Sequence, residues 1–170
     1  MRQNHHPMAL FFTVMLGLGV AQQGIAHSGP PVPDPTNIEG ISTAFGWDFE
    51  GTEIVTEKVT DSLYVLFGVG GNIAVSVGED GVLIVDDQFP QMMDRINAAI
   101  GELGGGAVDF AINTHWHFDH ADGNLALGPA GTWLVSQANS REKMLSDQVI
   151  NLVGVAYAQE AYPHEALPVI

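Results

Sequence analysis

The sequence predicts an α/β domain that begins with antiparallel strands, and three observations lead to this class. From Glu53 onward, short runs of β-branched and aromatic residues alternate with turn residues, as is typical of strands. The segment from Pro90 to Leu103 instead repeats apolar residues every three or four positions, which indicates a helix. A further strand-like run at residues 108–112 follows this helix. Strands on both sides of a helix indicate mixed α/β architecture.

Short strands joined by tight turns predict the antiparallel start. Gly78-Glu79-Asp80-Gly81 suits a tight connection, and the strand after it is a continuous apolar run, as expected at the centre of a sheet. The glycine-rich stretch 68–71 precedes a strand and lacks a following Gly-Lys-Ser/Thr, so it is not a phosphate-binding loop. The four predicted strands are Ile54–Val59, Leu63–Phe67, Ile73–Val77 and Val82–Val85.

The predicted helix has recognisable start and stop signals. Pro90 suits a first helical turn, and three glycines at 104–106 follow its last apolar residue. Its methionines and isoleucines are interpreted as core residues. Later in the chain, the sequence predicts a strand at Thr132–Val135, a helix from Gln137 to about Leu152, and irregular structure around Tyr157 and Tyr162.

The segment after the strand at 108–112 carries the chemistry. Residues 113–120 read Asn-Thr-His-Trp-His-Phe-Asp-His. In an extended segment side chains alternate, so His115, His117 and Asp119 are predicted to face one side, with His120 added by a turn. Imidazoles and a carboxylate together are ligands for zinc or another first-row divalent metal. Four ligands exceed the need of one open site and fall short of two, which implies a second contributing segment.

These residues resemble the H-x-H-x-D-H signature of the metallo-β-lactamase superfamily, and the similarity extends from about Glu53 to the end of the chain. The resemblance implies that His115 and His117 hold a first metal ion, and that Asp119 and His120 hold a second. Asp119 would also orient the nucleophile and pass on a proton. Asp86, at the end of a predicted strand, matches the aspartate that orients a ligand histidine from behind.

The resemblance also implies a four-layer αββα sandwich built from two similar halves, with metals at the seam. This chain resembles the first ββα half and a little beyond, so the second half, with the remaining ligands, is expected to be absent. His164 is the sole histidine after His120 and does not match the context of those ligands; it is interpreted as a loop residue. An uncovered sheet face, low stability and weak metal loading are then expected.

The chain is predicted to have three segments. Residues 1–26 resemble a signal peptide, with an uncharged, largely apolar run at 9–21 and small residues before the cleavage site at Ala26. That run is too short to span a bilayer of about 30 Å, so no membrane anchor remains after cleavage and the protein is expected in the periplasm or secreted. Residues 27–52 are a proline-rich linker or arm, and residues 53–170 form the partial metallo-β-lactamase-like domain.

Composition limits the partners and ligands. The 170 residues suffice for one modest domain. The formal charge of −15 repels phosphate backbones, which argues against nucleic acid as partner or substrate. There is no cysteine, so no thiolate can bind metal. This argues against the lactamase subclasses that place a cysteine on the second metal.

The resemblance leaves three functional interpretations. The first is an exported hydrolase with two zinc ions in the full-length protein, where zinc-bound hydroxide attacks the lactam, ester or thioester carbonyl of a small-molecule substrate. The second keeps the fold but uses iron, as in dioxygenases acting on glutathione persulfide or in redox di-iron proteins, because iron accepts the same ligands. The third is a metal-binding or scavenging module, or an inactive remnant.

Overall fold

The computed structural model describes residues 33–152 and 154–169. The predicted signal peptide lies outside the described residues. Within the described part, no helix is long and apolar enough to cross a membrane. The elements in chain order are β1 Pro35–Thr36, α1 Ile38–Phe45, β2 Val55–Lys58, β3 Leu63–Phe67, β4 Ile73–Gly78, β5 Gly81–Val85, α2 Met93–Glu102, β6 Phe110–Asn113, α3 Phe118–Ala121, α4 Asn124–Leu127, β7 Trp133–Ser136, α5 Ala138–Met144, β8 Gln148–Leu152 and β9 Val155–Gln159.

A six-stranded sheet in the order β2-β3-β4-β5-β6-β7 forms the centre of the domain. Strands β2 to β5 pair antiparallel, as the tight turns predict. Strand β6 pairs parallel with β5, and β7 pairs parallel with β6. Parallel pairing needs a crossover connection, and α2 lies in the connection between β5 and β6. The predicted helix is confirmed, with a 3-10 turn at Pro90–Met92 before α2.

One face of this sheet packs against α2 and forms the main core. Val75 and Ile84 from the sheet belong to the same buried cluster as Ile96 and Ile100 from α2. Phe89, which follows β5, is also fully buried in this cluster. The apolar positions of the strands alternate with the period of two that places every second side chain on this face.

Strands β8 and β9 pair antiparallel, and here the sequence prediction is wrong. The helix begins as predicted but ends at Met144, and β8 and β9 follow as an antiparallel pair in a second sheet ordered β1-β9-β8. Tyr157 lies within β9 rather than in irregular structure, and its ring centroid is 4.2 Å from that of Phe118. Each strand supplies hydrogen-bond partners for the backbone of the other, so neither segment can be recognised as a strand from its own sequence.

Regular structure also begins within the segment 27–52, where the sequence gives little sign of it. Asn37 caps the N-terminus of helix α1, because its side chain accepts a hydrogen bond from the Gly40 amide at 3.1 Å. Phe45, Trp47 and Phe49 alternate in the sequence but do not form a strand, because Phe45 ends the helix. Trp47 and Phe49 instead contact Phe89, with ring centroids 5.2 and 5.0 Å away.

Candidate metal centre

The candidate site lies where two neighbouring parallel strands end. Strands β5 and β6 pair in parallel, so Asp86 and Thr114, which follow them, meet at one edge of the sheet. The Thr114 amide donates to Asp86 Oδ1 at 2.7 Å, and the Thr114 hydroxyl donates to Asp86 Oδ2 at 2.9 Å. These bonds fix the Asp86 carboxylate beside the start of the histidine-rich segment.

The histidine-rich segment does not continue as a strand, because β6 ends at Asn113 and residues 114–116 form a bend. His117 still has extended backbone, but α3 begins at Phe118, so Asp119 and His120 lie on a helical turn. The predicted extended segment is therefore wrong for Asp119, and residues 114–116 bend where the prediction had a strand. The three imidazoles nevertheless come together: the ring centroid of His115 is 4.7 Å from that of His117 and 4.2 Å from that of His120.

His120 lies between two carboxylates. Its Nδ1 is 2.8 Å from Asp86 Oδ2, and its Nε2 is 3.4 Å from Asp119 Oδ2. The hydrogen bond with Asp119, followed by that with Asp86, raises the pKa of His120 to about 10. The contact that the sequence predicts between Asp86 and a histidine is thus present, and its proposed role behind a metal ion stays a prediction.

The other two histidines have the opposite electrostatic environment. Partial burial lowers the pKa of His115, and the charge of His120 lowers it further. Partial burial also lowers the pKa of His117, with a contribution from His115. Both imidazoles are therefore neutral at pH 7, which is the form that binds metal. Burial alone would raise the pKa of Asp119, but the hydrogen bond and charge of His120 outweigh it and keep that pKa low.

The donor set fits a zinc or iron ion by its chemistry. Three imidazoles and a carboxylate are grouped, and a carboxylate on His120 Nδ1 leaves Nε2 as the nitrogen available to a metal. As placed, however, the side chains bond to one another: in the described part of the chain, no three His, Asp or Glu side chains converge in the manner of metal ligands. The side chains therefore fit a zinc or iron ion in their chemistry and grouping, but they are not oriented as metal ligands.

A buried polar network behind the motif was missed by sequence reasoning. The Asn113 amide donates to Asp87 Oδ2 at 2.9 Å, and the Asn124 amide donates to Asn113 Oδ1 at 2.8 Å. Burial raises the pKa of Asp87 well above its usual range. All three side chains are buried. Asp87 and Asn113 lie at the ends of apolar strands, which is a signal in the sequence, whereas Asn124 begins α4 and carries no such signal.

Two residues near the C-terminus of the described chain form hydrogen bonds to residues in or just after the histidine-rich segment. The Tyr162 hydroxyl donates to Asp122 Oδ1 at 2.5 Å, and the Gln159 amide donates to the Trp116 carbonyl at 3.0 Å. Burial raises the pKa of Asp122 to about 7. In the sequence, Asp122 lies in Asp-Gly-Asn, which by itself indicates only a turn. His164 is exposed on a 3-10 turn at residues 164–166, consistent with its interpretation as a loop residue.

Comparison with solved structures identifies the fold. A subclass B3 metallo-β-lactamase with an active-site glutamic acid shares 22% identity at a TM-score of 0.54, covering 71% of this chain and 45% of that one. MEM-A1, a subclass B3 enzyme from a soil metagenome library, shares 24% identity at a TM-score of 0.52, covering 59% and 39%. This chain has part of the metallo-β-lactamase fold. The predicted fold class is therefore confirmed.

The likeness covers only part of each metallo-β-lactamase. A metallo-β-lactamase from Cronobacter sakazakii shares 19% identity at a TM-score of 0.51, covering 57% of this chain and 39% of that one. The chain thus spans less than half the length of each of these three metallo-β-lactamases. No protein-family model and no curated protein matches the chain. Identities of 19–24% at TM-scores above 0.5 establish the fold alone.

Proposed function

We propose that this chain carries the metal-binding part of an exported metal-dependent hydrolase that acts on a small molecule. The observation that supports this most directly is the grouping of His115, His117 and His120 with Asp119 at the carboxyl edge of a metallohydrolase sheet. The likeness to metallo-β-lactamase structures supports the reaction class. A net charge of −15 disfavours phosphate-rich substrates.

In this proposal, His115 and His117 hold one zinc ion, and Asp119 and His120 take part in holding a second. The lowered pKa values of His115 and His117 keep both imidazoles in the neutral, metal-binding form. Bound zinc would supply a Lewis acid for the substrate carbonyl and a water whose pKa is brought to about 7. Ligands beyond these four are expected from elsewhere in the complete protein.

The residues of the chain itself have separate tasks. Asp86 fixes the imidazole of His120 through Nδ1 and so determines which nitrogen faces the site. Asp119, whose pKa lies below its ordinary value, is an acceptor at neutral pH and is proposed to orient the nucleophile and accept its proton. The substrate is proposed to be a lactam, ester or thioester, with export placing the reaction in the periplasm or outside the cell.

Zinc titration of the purified chain tests this proposal. The wild-type chain should take up zinc, but weakly, because it supplies only two of the proposed ligands for each ion. The double substitution His115→Ala/His117→Ala should abolish uptake at the first site. His164→Ala is the matched control: it also removes an imidazole, but from an exposed turn outside the cluster, and should leave zinc affinity unchanged.

Two results would count against the hydrolase. Equal zinc uptake by the wild type and the double variant would place the metal elsewhere and overturn the site. Iron found in the protein isolated from its natural host, together with oxygen consumption, would replace the hydrolase by an iron-dependent oxygenase or redox protein of the same fold.

A further inference from the structure

Two residues directly after β5 have unusual backbone conformations. Among the residues that the structure describes, Asp86 and Gln88 are the non-glycine residues with left-handed backbone, at φ values of 62° and 56°. Such conformations are unfavourable for residues with a side chain, and they occur preferentially where function requires a particular side-chain direction. Asp86 uses this conformation to reach His120. Gln88 has no corresponding task in the proposed reaction.

The Gln88 side chain reaches the glycine-rich stretch that follows β3. It is fully buried, and its Nε2 donates to the Gly71 carbonyl at 2.5 Å. Its Oε1 is buried without a hydrogen-bond partner. Burying an amide with one group unpaired is unfavourable compared with an apolar side chain of similar size. The hydrogen bond to Gly71 is therefore the feature that distinguishes Gln88 from a residue that only fills the core.

Gly71 lies directly against the proposed metal ligands. Its amide donates to the Asp119 carbonyl at 3.1 Å. A Cβ atom at this position would lie 2.6 Å from Cε1 and 2.8 Å from Nδ1 of His120, closer than non-bonded carbon atoms approach. The main chain of Gly71 thus packs directly against the His120 imidazole. Gly68 approaches Gln88 in the same way, since a Cβ there would lie 2.7 Å from Oε1.

We infer that Gln88 is a positioning residue, which holds Gly71 and thereby fixes the Asp119 main chain and the His120 imidazole. This inference goes beyond the ligands themselves and rests on the proposed function only for its effect on metal. Asp86 restrains the Nδ1 edge of His120 directly, and Gln88 restrains the side on which Gly71 lies. The two left-handed residues of one loop thus act on the same imidazole by two routes.

Gln88→Met tests the inference, because it keeps the volume of the side chain and removes its donor. In the metal-free chain, the ring nitrogen signals of His120 in NMR spectra should shift. The thermal midpoint should change little, because removal of the unpaired Oε1 offsets the loss of the hydrogen bond to Gly71. Zinc affinity should fall by about tenfold, as is typical when a group supporting a ligand is removed. A residue that only fills the core would change neither the His120 signals nor the affinity of the folded chain.

Gly71→Ala provides a second test with a matched control. The added methyl group should displace the His120 ring, move its NMR signals and lower zinc affinity at least as much as Gln88→Met. Gly78→Ala makes the same change where a Cβ meets nothing within 4 Å, and it should leave both measurements as in the wild type.

The outcomes separate the two proposals. Unmoved His120 signals in Gln88→Met would overturn the positioning role, whatever the zinc affinity and whatever Gly71→Ala shows. His120 signals that shift in Gln88→Met, together with a wild-type chain that binds no zinc, would support the positioning role and refute the proposed function. Shifted signals together with lower zinc affinity would support both.

Discussion

The two faces of the six-stranded sheet differ sharply, although the same strands form both. On β7, Leu134 is 2% exposed while its neighbour Trp133 is 58% exposed. On β6, Ala111 is fully buried while Phe110 is 45% exposed, and Phe110 pairs with Trp133 across the two strands. Helix α2 packs on the first face, whereas large apolar side chains on the second remain in water. Burial, and not hydrophobicity alone, decides which of these residues stabilises the chain.

The largest expected effect is on the covered face. Leu134→Ala should lower the free energy of unfolding by about 3 kcal/mol, because it removes buried methyl groups and leaves a cavity. Trp133→Ala should change it by less than about 1 kcal/mol, because most of that side chain is already in water. Urea denaturation of both variants measures the difference. Similar losses for the two would mean that the faces are not distinct in solution.

The buried carboxyl group of Asp122 should affect stability in a way that depends on pH, unlike an exposed carboxyl group. Burial raises the pKa of Asp122 to about 7 from an ordinary value of 3.8, so the folded chain binds more protons than the unfolded chain between these values. The contribution of Asp122 to stability therefore falls as the pH rises from 4 to 7, and its penalty is complete above 7.

Asp122→Asn should remove this penalty and raise the thermal midpoint by several degrees at pH 8, with little gain at pH 4. The asparagine can still accept the hydrogen bond from Tyr162. Asp80→Asn, which removes the same charge from an exposed turn, serves as the control and should have little effect at either pH. Thermal melts of the three chains across this pH range measure it, and equal gains at pH 4 and pH 8 would contradict the assigned cause.

The smallest effect on unfolding is expected from polar residues on the exposed face. Phe110→Thr/Trp133→Thr should leave the free energy of unfolding within about 1 kcal/mol of the wild type. The same change should reduce self-association, because contiguous exposed apolar residues promote contact between copies. Sedimentation velocity at several concentrations measures this. An unchanged monomer fraction would indicate that this face does not mediate self-association.

The proposed ligands could be selected from the sequence because they are neighbours in it. Three histidines and one aspartate lie within residues 115–120, and their side-chain chemistry needs no knowledge of the fold. The early strands and helix α2 were also predictable, since each carries its own periodicity. Strands β8 and β9 were not, because they become strands by pairing with each other.

The sequence by itself therefore determined the antiparallel start and the α/β class, and it grouped the proposed metal donors. Only the tertiary structure decided how the donors are supported: Asp86 meets His120 across 34 positions, and Gln88 meets Gly71 across 17. It also decided which sheet face is buried. The physical reason is that periodicity and ligand chemistry are local properties of a chain, whereas hydrogen bonds and packing join residues whose separation in sequence carries no mark of their contact.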